Sequence, residues 1–387
     1  MQINGLLKGL TDRHLRSTAL ALATVSVVAL MKIPSAAALE EGAVVTSIKP
    51  VHSLVSAVME GVGEPGLIVK GAASPHRYSL RPSEARNLQN AKLVFWIGPD
   101  LEAFLEKPIE SLGENAKLVT LSEAHDLTKL EFREGGPFEK HDHGHEEHGH
   151  DDHDHDKHDH DEHAHEEHDH DKHDHDEHAH DDHDHDKHAH EEHAHDDHDH
   201  DHDKHDHDEH AHGEIDMHLW LDPENAKAML HEIEEALVAL DPANAATYEA
   251  NAESYAKRID ALTSEVAADL APVRAKSFIV FHDAYQYFEN RFGVTAAGSI
   301  TVSPEVIPGA QRVAEIQERV RALGETCVFA EPQFEPKLVQ VVTEGTNARS
   351  GVLDPLGTEQ AGDGPDLYLD LIRSMASSMK NCLSGSS

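Results

Sequence analysis

KLVFWIGPDLEAFLEKPIESLGENAKLVTL, residues 92–121, decides the fold class. KLVFWIG is a continuous apolar run, the signature of a strand buried on both faces. DLEAFLEKPIESL has helical spacing, and KLVTL is a strand again. A strand, a helix and a second strand of this kind form a parallel β-α-β unit. Upstream, VVTSI reads as a strand, VHSLVSAVMEGV as a helix, LIVKG as a strand, and RPSEARNLQNA as a helix with Pro82 suited to its first turn. The alternation resumes near the C-terminus. SFIVFH, VTAAGSI, TCVFAE and GVLD read as strands; DAYQYFENRF, PGAQRVAEIQERVRALG, PKLVQVVTEGT and DLYLDLIRSMASSMKNCL read as helices. Between the two blocks lie a helix capped by Asp222 and a long helical stretch from Pro242 to about Leu270. The expected architecture is α/β: two parallel-sheet lobes, joined by a long rigid connector helix, with a cleft between them.

The bulk composition is skewed by one segment. Residues 141–212 hold 30 of the 37 histidines, 31 Asp/Glu and only 4 Lys, and so carry 27 of the 42 excess negative charges. Much of this segment follows a five-residue pattern, x-His-x-His-x, with almost no large apolar side chain. Such a chain cannot bury a core and is expected to be disordered. Imidazoles with carboxylates bind Zn²⁺, Cu²⁺ and Ni²⁺, so the segment reads as a metal buffer or sponge. The alternative is a solvated tether or a pH-dependent charge brush. The acidity excludes the basic footprint that nucleic-acid binding needs.

The N-terminus reads as a cleaved secretory signal over residues 1–38. Lys8, Arg13 and Arg16 precede an apolar run at 18–31, and Ala36, Ala37 and Ala38 supply the small-residue cut site. Export places the two cysteines, Cys327 and Cys382, in an oxidising compartment, where a lone pair forms a disulfide. The remaining divisions are an N-terminal lobe at 39–140, the histidine-rich loop at 141–212, the last part of that lobe at 213–241, the connector at 242–272 and a C-terminal lobe at 273–387.

Outside the repeat, three histidines and one aspartate sit where metal chemistry is plausible. His76 lies in the loop after LIVKG, His218 in IDMHLWLDPE, His282 at the end of SFIVFH, and Asp354 at the end of GVLD. In open α/β sheets ligands bind beyond the carboxyl ends of strands. Three imidazoles and a carboxylate suit Zn²⁺, whereas Mn²⁺ draws more oxygen ligands. No HExxH string occurs, which weakens a zinc hydrolase, and no phosphate-cradling GxxxxGK[ST] string occurs.

Six strings carry a resemblance: SPHRYSLRPSE at 74–84, DMHLWLDPE at 216–224, FIVFHDAYQYFENRFG at 278–293, SPEVIPGAQRVAEI at 303–316, CVFAEPQFEP at 327–336 and GVLDPLGT at 351–358. In this order they resemble the solute-binding component of bacterial high-affinity zinc uptake ABC importers, ZnuA-type. The resemblance implies a periplasmic, monomeric receptor that captures Zn²⁺ between two lobes and delivers it to a membrane permease with a cytoplasmic ATPase. It implies His76, His218 and His282 as ligands, with Asp354 or water in the fourth position, because Pro75 stands where some relatives carry a Glu. It also supports the Cys327–Cys382 pairing. Glu331 is expected to hydrogen-bond a ligating histidine, His52 to be structural, and His125 and His231 to lie on the surface. The rival readings are a histidine-rich metal store or adhesin, and the same fold carrying Mn²⁺ or Fe²⁺.

Overall fold

The computed structural model describes residues 39–113, 115–133, 138, 215–301, 304 and 306–385. The expected signal peptide and the histidine-rich segment lie outside the described residues. Among the described residues, eight strands form two separate four-stranded parallel sheets. The first contains β1 (Val44–Thr46), β2 (Gly66–Leu67), β3 (Leu93–Trp96) and β4 (Lys117–Thr120), in the order β2-β1-β3-β4. The second contains β5 (Ser277–His282), β6 (Thr295–Thr301), β7 (Cys327–Ala330) and β8 (Arg349–Val352), in the order β6-β5-β7-β8. Both lobes therefore repeat one topology. The crossovers leave β1, and likewise β5, in opposite directions, which opens a crevice at the carboxyl ends of β1/β3 and β5/β7. His282 is the last residue of β5, and Glu331 follows β7 directly.

The helices are α1 (Lys49–Val58), α2 (Pro82–Asn90), α3 (Ala103–Leu112), α4 (Pro223–Leu240), α5 (Ala245–Leu270), α6 (Gln286–Phe292), α7 (Ala310–Leu323), α8 (Lys337–Thr343) and α9 (Leu367–Ser384). All four residues of β3 are buried, as its unbroken apolar run requires. β5 shows how the faces divide. Phe278 and Val280 enter the main core, while Ile279 and Phe281 pack on the other face with Ile316 and Val320 of α7 and Val339 and Val342 of α8. His282 has the parity of Phe278 and Val280, so the period-two alternation of the strand turns it toward the main core.

That main core is shared by both lobes. It runs from Val44 and Phe95 through the buried stripe of α5 (Tyr248, Ala252, Tyr255, Ile259, Leu262, Val266 and Leu270) to Phe278, Phe329 and Met379. The stripe recurs every three or four residues, so one helical face stays apolar. At 26 residues α5 extends about 39 Å. It packs against α1, α4 and α9.

Polar bonds cross the same boundary. Ser53 of α1 donates to the carbonyls of Gly364 and Pro365 at 3.0 Å and accepts from Tyr368 N at 2.9 Å. Trp220 Nε1 donates to Pro355 O at 2.8 Å, and Tyr368 Oη donates to Trp220 O at 2.9 Å. His52, expected to be structural, contacts the carbonyls of Asp363 at 2.7 Å and Pro65 at 3.0 Å.

Several element ends fall a few residues from expectation, and the one at Asp354 bears on the site. β8 ends at Val352, so Asp354 lies two residues beyond the strand, in a turn. The cysteines are paired as expected: a Cys327–Cys382 disulfide ties β7 to α9 across 55 residues of chain. Replacing both cysteines by serine should lower the unfolding free energy by up to about 4 kcal/mol, through the entropy of the released loop. Urea denaturation of oxidised and variant protein measures it.

Candidate metal centre

His76 belongs to a 3-10 turn, Pro75–Arg77, in the loop between β2 and α2. Pro75 fixes the first backbone angle, and Ser74 Oγ accepts from His76 N at 3.3 Å, which caps the turn. The loop is closed by Glu84, whose carboxylate accepts from Tyr78 Oη at 2.7 Å and Arg81 N at 2.8 Å. His218 enters from the first lobe just before α4, and His282 from the end of β5. The ring centroids of His76 lie 5.4 Å from His218 and 5.9 Å from His282, and those of His218 and His282 are 5.2 Å apart. One ligand atom from each of the three falls within 4.8 Å of the others.

Two of these rings are held from behind. Asp216 Oδ1 meets His218 Nδ1 at 2.7 Å, and Glu331 Oε1 meets His282 Nδ1 at 2.7 Å. A carboxylate accepts only, so each Nδ1 carries the hydrogen and donates it, and each Nε2 is turned forward. The two Nε2 atoms lie 3.3 Å apart. The same carboxylate oxygens also accept the backbone N–H of His218 at 3.0 Å and His282 at 3.3 Å. Ring and backbone are thus fixed by one acceptor each. Both carboxylates are buried with their histidines. Glu331 fills the role expected for it. Asp216 was not singled out by the sequence reading, although an acid two residues before a candidate ligand was its visible signal.

Pro75, Trp220, Phe334, Pro355 and Leu356 wall the cavity, whose free volume is about 10 Å³. That is room for one ion or one water. Asp354 does not join the three histidines. Its Oδ1 accepts from Gln333 Nε2 at 2.9 Å and Leu356 N at 3.2 Å, and its Oδ2 from Thr358 Oγ1 at 3.0 Å and Glu359 N at 2.9 Å. Four donors occupy its lone pairs, and it shapes the turn that carries Pro355 and Leu356 into the wall. His125 and His231 are exposed, as expected.

Residues 44–382 match the family described as zinc-uptake complex component A, periplasmic. The chain belongs to that family. It is 57% identical over 345 residues to the high-affinity zinc uptake system protein ZnuA of Brucella suis biovar 1 (strain 1330), covering 89% of this chain and 92% of the relative. It is 35% identical over 353 residues to the protein of the same name from Yersinia pestis, again covering 89% and 92%. The fold is that of the periplasmic zinc binding protein TroA from Treponema pallidum, with TM-score 0.62 and 16% identity over 88% of this chain and 98% of that one. The zinc-uptake component A family thus shares the two-lobed α/β architecture seen here.

The protonation of the three rings differs. Burial, with the nearby His218 and His282, pushes His76 well below its ordinary value. Burial also presses His282 down, but Glu331 at its Nδ1, aided by Asp283 and Asp216, outweighs it and holds His282 above its ordinary value. Without metal the two have opposite linkage. The stabilisation from charged His282 is complete below the unfolded value of about 6.5 and is lost as pH rises through its raised folded value; that from neutral His76 is present above about 6.5 and lost as pH falls through its depressed one. A metal must displace the second proton of His282 from Nε2, so metal affinity should rise with pH through the His282 pKa. Glu331→Gln should shift that rise to lower pH and weaken binding about 10–100-fold. Chelator competition between about pH 5.5 and 8.5 reads both effects.

Proposed function

We propose that this chain is the zinc-capturing receptor of an ABC-type importer. It binds Zn²⁺ in the periplasm through His76, His218 and His282 and delivers it to a membrane permease driven by a separate cytoplasmic ATPase. The observation that carries this reading is the convergence of three imidazoles from three separated segments, two of them held by buried carboxylates. In this reading the lobes are residues 39–140 with 213–241, and 273–387, and 242–272 connect them.

Electrostatics supports a divalent cargo. Asp216 and Glu331 place two negative charges behind the rings, and a divalent cation in front of them brings the site to neutrality. A buried ion without such partners would be strongly disfavoured. Borderline-soft Zn²⁺ suits an all-nitrogen set, while Mn²⁺ would draw on more oxygen donors than this cavity presents. Because Asp354 is saturated, the fourth position is best filled by water or by a group that takes over the ion. The site works by binding alone: the cavity has room for the ion and no space for an organic substrate.

The test is calorimetric Zn²⁺ titration of mature protein lacking residues 141–212, with and without His76→Ala, His218→Ala and His282→Ala. The deletion protein should keep one tight site, and the triple variant should lose it by at least about 1000-fold, since loss of a mere hydrogen-bond partner of a ligand already costs about 10–100-fold and here three imidazoles go. If the deletion alone abolishes tight binding, the chain is a histidine-rich metal store.

A further inference from the structure

Three features outside the metal centre converge on one arginine. Arg133 follows a short extended segment, residues 127–131, whose partner is the segment that leads into His218. Glu131 and Ile215 form an antiparallel bridge, and Asp216 N donates to Leu130 O at 2.9 Å. A ribbon of this size is marginal in water on its own. It is held by side chains of both lobes: Asn225 of α4 accepts from Thr128 N at 2.8 Å and donates to Thr128 O at 2.9 Å, and α6 of the second lobe grips the end nearer Arg133. Tyr287 Oη of α6 donates to Asp216 O at 2.7 Å and accepts from Leu130 N at 3.0 Å, and Gln286 Nε2 donates to Glu131 O at 2.9 Å.

Arg133 closes this attachment. Its Nε donates to Asp283 Oδ2 at 3.1 Å, its Nη1 to Glu289 Oε2 at 2.9 Å, and its Nη2 to Glu289 Oε1 at 3.0 Å and to Asp283 Oδ1. Phe138 covers the guanidinium, with its ring centroid 4.1 Å from Cζ. Both acids are buried, so the arginine is their charge partner inside the protein. Asp283 is the residue after His282, and Asp216 at the far side of the ribbon holds His218.

We propose that Arg133 is a positioning residue for the metal centre: its grip on Asp283 and Glu289 locks the ribbon bearing Asp216 and His218 in register with His282 on the other lobe. This rests on the reading of His218 and His282 as ligands. Removing the arginine leaves two buried carboxylates without a cation, and they must move or take up water. Asp283 moves with His282, and the ribbon loses its outer anchor. The centre then loses the fixed spacing of its two Nε2 atoms. Lysine supplies the charge but not the planar fork that serves two carboxylates at once.

The test uses full-length mature protein carrying Arg133→Gln, Arg133→Lys or Tyr287→Phe, with Co²⁺ as the probe. The cleft signal is the visible Co²⁺ absorption of each chain minus that of the same chain with His76→Ala, His218→Ala and His282→Ala. Arg133→Gln should release cleft Co²⁺ to a chelator about tenfold faster and shift the absorption bands. Arg133→Lys should fall between it and the parent. Tyr287→Phe, which removes one hydroxyl, should move both readouts the same way by a smaller factor; it decides the matter if Arg133→Gln does not fold. A lowered melting temperature with unchanged release rate and unchanged bands would make Arg133 merely structural and overturn the proposal. Equal Co²⁺ bands with and without the three histidines would overturn the ligand reading, and this proposal with it.

Discussion

Everything at the cleft depends on two buried carboxylate–imidazole hydrogen bonds, Asp216 to His218 and Glu331 to His282, each 2.7 Å long. An imidazole has two nitrogens and rotates freely, so a histidine at the right place in the chain is not yet a ligand. The acceptor at Nδ1 selects the tautomer, fixes the ring plane and turns Nε2 forward. It also supplies the charge that makes a divalent cation welcome in a cavity of about 10 Å³. His76 completes the set from a capped turn, and its depressed basicity keeps it neutral and ready to donate a lone pair.

These bonds matter only if the two lobes hold their spacing, because His218 and His282 come from opposite sides of the cleft. The packing supplies that constraint. A single apolar core passes through α5 from one lobe to the other, and α9 packs on α1, α5 and β8 at once. Ser53, Trp220 and Tyr368 then stitch backbone to backbone across the boundary. Opening such a structure about a hinge would expose apolar area at about 25 cal/mol per Å² and strand several buried polar groups.

The repeated strand order of the two sheets gives the lobes the same kind of crevice, yet they use it differently. In the second lobe the crevice holds His282, with Glu331 behind its ring at Nδ1. In the first lobe the buried acid after β3, Glu102 at the start of α3, turns inward, accepts the backbone N–H groups of Ile97 and Gly98 at 2.8 and 3.1 Å, and is pushed by burial up to about 7. The first lobe sends its histidines to the cluster from loops instead, His76 before α2 and His218 before α4. The site is asymmetric although the scaffold is not.

Much of this was legible in the residues. The apolar run at 92–98, the period-two faces of SFIVFH and the three-four spacing of α5 determine local structure, because strand and helix periods are properties of adjacent residues. The strings around His76, His218 and His282 marked the three histidines that the fold brings together, and Glu331 was expected beside one of them. Three things were decided by the tertiary structure alone. Asp354 carried the right chemistry at the right end of a strand, but four donors from Gln333, Thr358 and two backbone amides satisfy it, and sequence does not count donors. Asp216 and Arg133 looked like ordinary charges near an acidic segment. Their roles come from partners reached by folding, His218 two residues on by a turn, and Asp283 some 150 residues away. Periodicity fixes which face a side chain takes; only the closed fold decides which buried charge meets which, because burial makes an unpaired charge so costly that each must find its partner wherever the chain brings one.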